Sequence, residues 1–161
     1  DYGQVFMVSN PSESWKKKML YRERGRICSL LGKNQHLCRI TAAVDFSAST
    51  LLMMRFLRQN LMQREGVTFF FVYVDTGEQR QAGRKWETFK KIAGFDESVP
   101  LEVVSTETDV SSGLIEFVRR KKCGTVIMGK RGLSGIKRWL LGSVSTKVLS
   151  ELKECSIFLF D

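Results

Sequence analysis

Histidine, proline and long apolar runs are what this sequence has least of. One histidine (His36) and four cysteines (Cys28, Cys38, Cys123 and Cys155) occur in 161 residues, with no C-x-x-C pair among them. That scarcity excludes the Cys/His cluster of a structural zinc site and the spacing of a disulfide framework, so the thiols are expected to be reduced. Cys123 and Cys155 each open an apolar run, where a cysteine serves as a small hydrophobe. Two prolines, with 43% hydrophobic and 27% charged residues, exclude a fibrous or disordered chain. The longest apolar run, Phe69 to Val74, is six residues, against about 20 for a bilayer span, so no membrane span is expected. The length is that of one ordinary domain.

Acidic residues are also in short supply: 17 Asp and Glu face 26 Lys and Arg, a formal net charge of +9. The excess is spread along the chain, with knots at Lys16-Lys17-Lys18, Arg119-Arg120-Lys121-Lys122 and Lys130-Arg131. Such a surface attracts anions such as nucleotides, nucleic acid or acidic headgroups. No nucleic-acid-binding motif accompanies it, and the aromatics fall on expected strands and helix faces, so a specific nucleic-acid partner is not expected.

From Cys38 onward apolar strands alternate with amphipathic helices. Ile40–Val44, Val67–Val74, Leu101–Ser105, Thr125–Met128 and Ser156–Phe160 read as strands. Ser47 or Ser49 can cap a helix carrying Leu52, Met53, Phe56, Leu57 and Leu61. Trp86, Phe89 and Ile92 form the expected inner face of a second helix, and Asp109 opens a third with Leu114, Ile115 and Val118. Five near-continuous apolar strands separated by helices predict an α/β fold: a doubly wound, Rossmann-like, five-stranded parallel sheet with helices on both faces. In such sheets ligands sit beyond the carboxyl ends of the strands. Residues 1–37 fall outside the rhythm, although Val5–Val8 has the composition of a strand; they read as an N-terminal extension or connector, with 38–161 as the domain. The chain starts at Asp1 rather than Met, in keeping with a piece of a longer polypeptide.

The segment from Met128 to Ser145 carries the chemistry. Gly129 leaves an apolar strand, and Gly142-Ser143 opens a helix bearing Val144, Val148, Leu149 and Leu152. The free amides and dipole of a helix N-terminus attract anions, and glycines let the backbone approach phosphate oxygens closely. Ser143 and Ser145 add hydroxyls, while Lys130, Arg131, Lys137 and Arg138 add positive charge. Neither a Walker A loop nor G-x-G-x-x-G is present. A glycine turn followed by a serine-capped helix is the simpler local reading.

The spacing Gly129, two residues, Gly132, nine residues, Gly142-Ser143 resembles the G-2x-G-9x-G-[ST] nucleotide motif of the universal stress protein family. Val44-Asp45-Phe46-Ser47, Phe70 to Asp75, Gly113 to Gly129, Leu140 to Ser145 and Ile157 to Phe160 are similar to further stretches of that family, over roughly residues 39–161. Members with this motif bind ATP, so the resemblance implies an adenine nucleotide (ATP, or AMP or ADP) held with a divalent cation such as Mg. It places Asp45, with Ala43 beside it, near the adenosine, and the backbone of Tyr73 at the adenine edge. Met128 and Gly129 would line ribose and base, and Gly132, Gly142, Ser143, Val144 and Ser145 would hold the phosphates. The alternatives from the residues themselves are that Asp45 caps a helix and that Tyr73 and Met128 are core. Ala43 and Lys130 depart from the family's usual proline and small polar residue.

No Ser/His/Asp set, Cys/His pair or paired carboxylates mark a dedicated catalytic site, leaving room only for slow hydrolysis or self-phosphorylation. The resemblance further implies a stress-response regulator that signals through nucleotide occupancy, as a homodimer joined through Ile157–Phe160. An exposed apolar edge there would need such a partner. The expected location is the cytoplasm, with attachment to a membrane transporter as its cytosolic domain one form of the longer chain. The competing expectation is a protein-interaction module of the same fold with no nucleotide.

Overall fold

The computed structural model describes residues 39–77, 81–96, 98–129 and 142–160, together with the backbone of Val5–Val8. The strands are β1 (Val5–Val8), β2 (Arg39–Ala43), β3 (Thr68–Asp75), β4 (Leu101–Ser105), β5 (Thr125–Gly129) and β6 (Ser156–Phe160). The helices are α1 (Ala48–Asn60), α2 (Ala82–Ala93), α3 (Val110–Arg120) and α4 (Ser143–Glu151). The sheet order is β1-β6-β5-β2-β3-β4, and every neighbouring pair is parallel. This is the doubly wound α/β fold expected from the sequence, with a sixth strand added.

From β2 the chain steps to β3 and β4 in one direction, then returns to add β5 and β6 on the other side of β2. Crossovers of one hand put helices on opposite faces when the direction reverses. Accordingly α1 and α2 bury Met53, Met54, Phe56, Leu57, Ala82 and Trp86 against one face. Leu114, Ile115, Phe117 and Val118 of α3 and Val148 of α4 cover the other. Aromatic rings knit the first face: Phe71 lies 5.1 Å from Trp86 and Phe56 lies 5.3 Å from Phe160, centroid to centroid.

Two expectations need correction. Ile92 is 50% exposed, and α2 instead buries Ala82, Trp86, Lys90 and Ala93. At 100° per residue the inner face of this helix runs through 86, 90 and 93, and 92 falls off it. Lys90 occupies the inner face by laying its stem on the core and pairing its ammonium with Glu87 at 2.9 Å. The second concerns the sheet edge. Ile157–Phe160 was expected to be exposed, yet β6 lies between β5 and β1, with Val5 opposite Ile157 and Val8 opposite Phe160. Phe160 is fully buried. The backbone groups that a second copy would have paired are taken by a strand of the same chain, which removes the physical argument for dimerisation at that edge.

Candidate functional site

The strand order reverses between β2 and β5, and that is where the carboxyl ends of a doubly wound sheet part to leave a crevice. A cavity of about 180 Å³ lies there. Ala43, Val44 and Asp45 come off the end of β2, Met128 and Gly129 off β5, and Val72 and Val74 lie on β3. Val110 and Leu114 of α3 close one side, and Gly142, Ser143, Val144 and Ser145 form the entry to α4. Apolar side chains thus make the walls, with polar groups confined to Asp45 and the start of α4.

Asp45 sits in a short hydrogen-bonded turn. Its Oδ1 accepts from the Ser47 amide at 3.0 Å and from Thr50 Oγ1 at 2.8 Å, while its own amide donates to Thr50 Oγ1 at 3.2 Å. Ser47 is the N-cap of α1 but makes no side-chain cap bond, and its buried hydroxyl has no partner among the described residues. Asp45 thus braces the turn before α1 through the Ser47 amide and the Thr50 hydroxyl rather than capping first-turn amides, and Ser47 holds the expected N-cap position without a side-chain cap bond. One carboxylate oxygen serves the turn; Oδ2 has no partner among the described residues.

At the other end of the cavity, Gly142 is the N-cap of α4 with extended backbone (φ −67°, ψ 162°). Its carbonyl accepts from the Thr146 amide at 3.0 Å, Thr146 Oγ1 at 2.9 Å and Ser145 Oγ at 3.0 Å. The amides of Ser143 and Val144 find no acceptor among the described residues, as the first turn of a helix requires. They are the donors an anion would meet there, reinforced by the helix dipole.

Of the ten residues singled out from sequence, Ala43, Asp45, Met128, Gly129, Gly142, Ser143, Val144 and Ser145 line this cavity. Gly132 lies outside the described residues, as do Lys130, Arg131, Lys137 and Arg138. The Tyr73 ring does not line it: the pleat turns it to the opposite face, 5.2 Å from Phe46, while its neighbours Val72 and Val74 form the wall, which leaves Tyr73 only the backbone contact that the resemblance implies. The Ser145 hydroxyl turns back to the Gly142 carbonyl rather than outward, in a residue only 2% exposed. Sequence reasoning missed the walls made by Val72, Val74, Val110 and Leu114. Their signal is present as the alternation of valines in β3 and an i, i+4 apolar pair at the start of α3.

A polar clamp outside the cavity ties α3 to α4. Asp109 caps α3, accepting from the Ser112 amide at 2.9 Å, Ser112 Oγ at 2.9 Å and the Ser111 hydroxyl. Lys147 of α4 reaches across to Asp109 Oδ2 at 3.2 Å and Ser112 Oγ at 2.7 Å. The Ser111 and Ser112 hydrogen bonds, then Lys147, hold the Asp109 carboxyl well below its ordinary value of 3.8. A depressed folded-state value means stabilisation that is complete above 3.8 and is lost as the pH falls toward that value and below it. Asp109→Asn is therefore expected to lower the melting temperature at neutral pH, with the gap to wild type closing in acid. Thermal unfolding followed downward in pH checks this; a gap independent of pH would contradict it.

Burial pushes the Cys123 thiol up and the Cys155 thiol up to about 12, and the Cys155 thiol donates to the Cys123 carbonyl. Both are free, protonated core cysteines. Cys28 and Cys38 lie outside the described residues.

The model of the "Universal stress protein family" matches residues 38–154, well over half the chain. The chain belongs to that family. One curated relative, universal stress protein YxiE of Bacillus subtilis (strain 168), is 28% identical over 82 residues, 51% of this chain. The match spans about half that relative's length, 55%. Solved structures share the universal stress protein fold. MJ0577, described in a structure-based assignment of biochemical function, superposes with a TM-score of 0.58 at 17% identity, over 76% of this chain and 95% of its own. A universal stress protein in complex with cAMP gives 0.54 at 16% identity, over 75% and 94%. A family member from Burkholderia pseudomallei gives 0.51 at 18% identity, over 78% and 97%.

Proposed function

We propose that this universal stress protein domain binds an adenine nucleotide in the cavity between β2 and β5, and that occupancy of the site is its signal. The observation that carries the reading is the meeting of Gly129 and Gly142, two fixed points of the G-2x-G-9x-G-S spacing, on one cavity with the unpaired amides of Ser143 and Val144. An apolar slot suits a flat purine ring, with a polar group at its rim for ribose hydroxyls: Asp45 Oδ2 is in place to accept from them. The phosphates would extend over the start of α4, where Ser143 and Val144 donate from the backbone. That a neighbouring fold holds cAMP supports an adenine nucleotide as the ligand class.

ATP is the proposed nucleotide, with ADP or AMP as lesser ligands. Among the described residues no group of three carboxylate, histidine or cysteine side chains could hold a metal ion by itself. In this reading a magnesium ion would come in on the phosphates, with a single carboxylate or hydroxyl completing its shell. On the same reading the residues bind and orient the nucleotide, and rapid phosphoryl transfer is not part of the proposed role. No helix among the described residues is long and apolar enough to cross a membrane, and a cytoplasmic domain, free or attached to a transporter, is the proposed setting. A homodimer joined through Ile157–Phe160 belongs to the proposal only with Val5–Val8 displaced, because both would compete for the same edge of β6.

A ligand that binds only the folded state raises its stability, by about 2.7 kcal/mol at a hundredfold excess over Kd. Magnesium ATP is thus expected to raise the melting temperature in a concentration-dependent way, and magnesium with inorganic phosphate is not. Equal indifference to ATP, ADP and AMP would favour the interaction module without a nucleotide.

A further inference from the structure

We propose that Phe46 is a positioning residue for this site: its ring, seated between Tyr73 and Phe89 on the sheet face opposite the cavity, fixes the turn that presents Asp45 to the ligand. The nucleotide part of this inference rests on the reading given above. Phe46 has φ +60°, in the left-handed region that penalises any residue with a Cβ and a bulky one most. Its neighbours on either side make the turn described above, with the Ser47 amide bonded to Asp45 Oδ1. A left-handed residue in that place lets Asp45 line the cavity while the next side chain goes to the other face.

Local sequence preference would put glycine or asparagine at such a position. What holds phenylalanine there is packing. Phe46 is 8% exposed, with its ring centroid 5.2 Å from Tyr73 and 5.3 Å edge-on from Phe89 of α2, and with Lys85 Nζ 5.7 Å above it. These contacts over-determine an otherwise unfavourable backbone, the condition under which strain persists at functional sites. They also give Tyr73 a part in the site that its position alone conceals: it acts through the Phe46 ring. Through Phe89 and Lys85, α2 reaches the ligand cavity by a single side chain.

Phe46→Gly tests this, because glycine accepts the same φ and removes the ring. Phe46→Asn, which also tolerates that φ but keeps a Cβ, is measured beside it to separate the loss of the ring from the backbone freedom that glycine adds. Two readouts are taken: magnesium ATP affinity by calorimetry for Phe46→Gly, Asp45→Ala and the double variant, and hydrogen exchange of the Ser47 amide without nucleotide. Phe46→Gly is expected to weaken ATP about tenfold, and the double variant to bind no more weakly than Asp45→Ala alone, the signature of residues acting as one unit. The Ser47 amide is expected to exchange at least about tenfold faster while the Val44 amide, bonded to the Val72 carbonyl at 2.8 Å, keeps its protection. An unchanged Ser47 exchange rate, or affinity losses that simply multiply, would overturn the proposal. If the wild-type protein binds no ATP, the nucleotide reading fails separately, and the Ser47 comparison still decides the positioning role.

Discussion

Gly142→Val is expected to abolish nucleotide binding, a loss of at least about a hundredfold, while leaving the protein folded. Both halves follow from the backbone at this position. At φ −67° and ψ 162° Gly142 adopts a conformation open to any residue, so valine adds no backbone strain and α4 keeps its hydrogen bonds to the residue 142 carbonyl. Gly142 lines the cavity beside Ser143 and Val144, and the expected effect of the added isopropyl group is to crowd that rim against a ligand approaching their amides. Phosphate oxygens need direct approach to such amides, and a misplacement of an ångström at a site built on geometry costs about a hundredfold. Calorimetry with magnesium ATP, alongside a melting curve, separates the two effects. Retained affinity would remove α4 from the site; loss of the fold would mean that the glycine serves packing instead.

Gly113→Val is expected to act the other way round, through the fold first. A Cβ at this α3 position would lie 2.8 Å from Val74 Cγ1 and 3.3 Å from Thr106 Cγ2. Glycine is what lets α3 press onto the end of β3, and Val74 on one side with Leu114 on the other are both walls of the cavity. Alanine would regain about 1 kcal/mol of helix propensity against this clash. Valine adds two further methyl groups and should cost about 2–3 kcal/mol by overpacking, a fall in melting temperature of roughly 5–10 °C for a domain this size. Because the relaxation moves α3 outward, ATP affinity should fall as well, and less steeply than in Gly142→Val. A melting temperature within about 1 °C of wild type would show that Val74 yields freely and that α3 is not held where the structure has it.

Much of the architecture is legible in the sequence because its signals are local and repeated. Phe69 to Val74 is a short, continuous apolar run rich in Phe and Val, the composition of a strand covered on both faces, and Asp109 stands where a helix cap is required. The glycine spacing after β5 marks the site for the same reason: each element of it is read along the chain. What escaped is set by contacts between distant segments. Nothing in the four residues Val5–Val8 announces that they will lie against Phe160. Tyr73 and Val74 are adjacent and both apolar, and only the pleat of the assembled sheet decides which faces the cavity. The left-handed Phe46 runs against its own propensity, held by Tyr73 and Phe89 from elsewhere in the chain. Such disagreements between local preference and tertiary packing gather at functional sites, and this one adjoins Asp45.

Titration of the wild-type protein with ATP and magnesium by calorimetry, after any nucleotide that co-purifies has been removed by denaturation, identified and the protein refolded, tests the central claim most directly. Saturable binding of one ATP per chain, absent in Gly142→Val, is the predicted result. A folded wild-type protein that takes up no adenine nucleotide, and that released none, would contradict it.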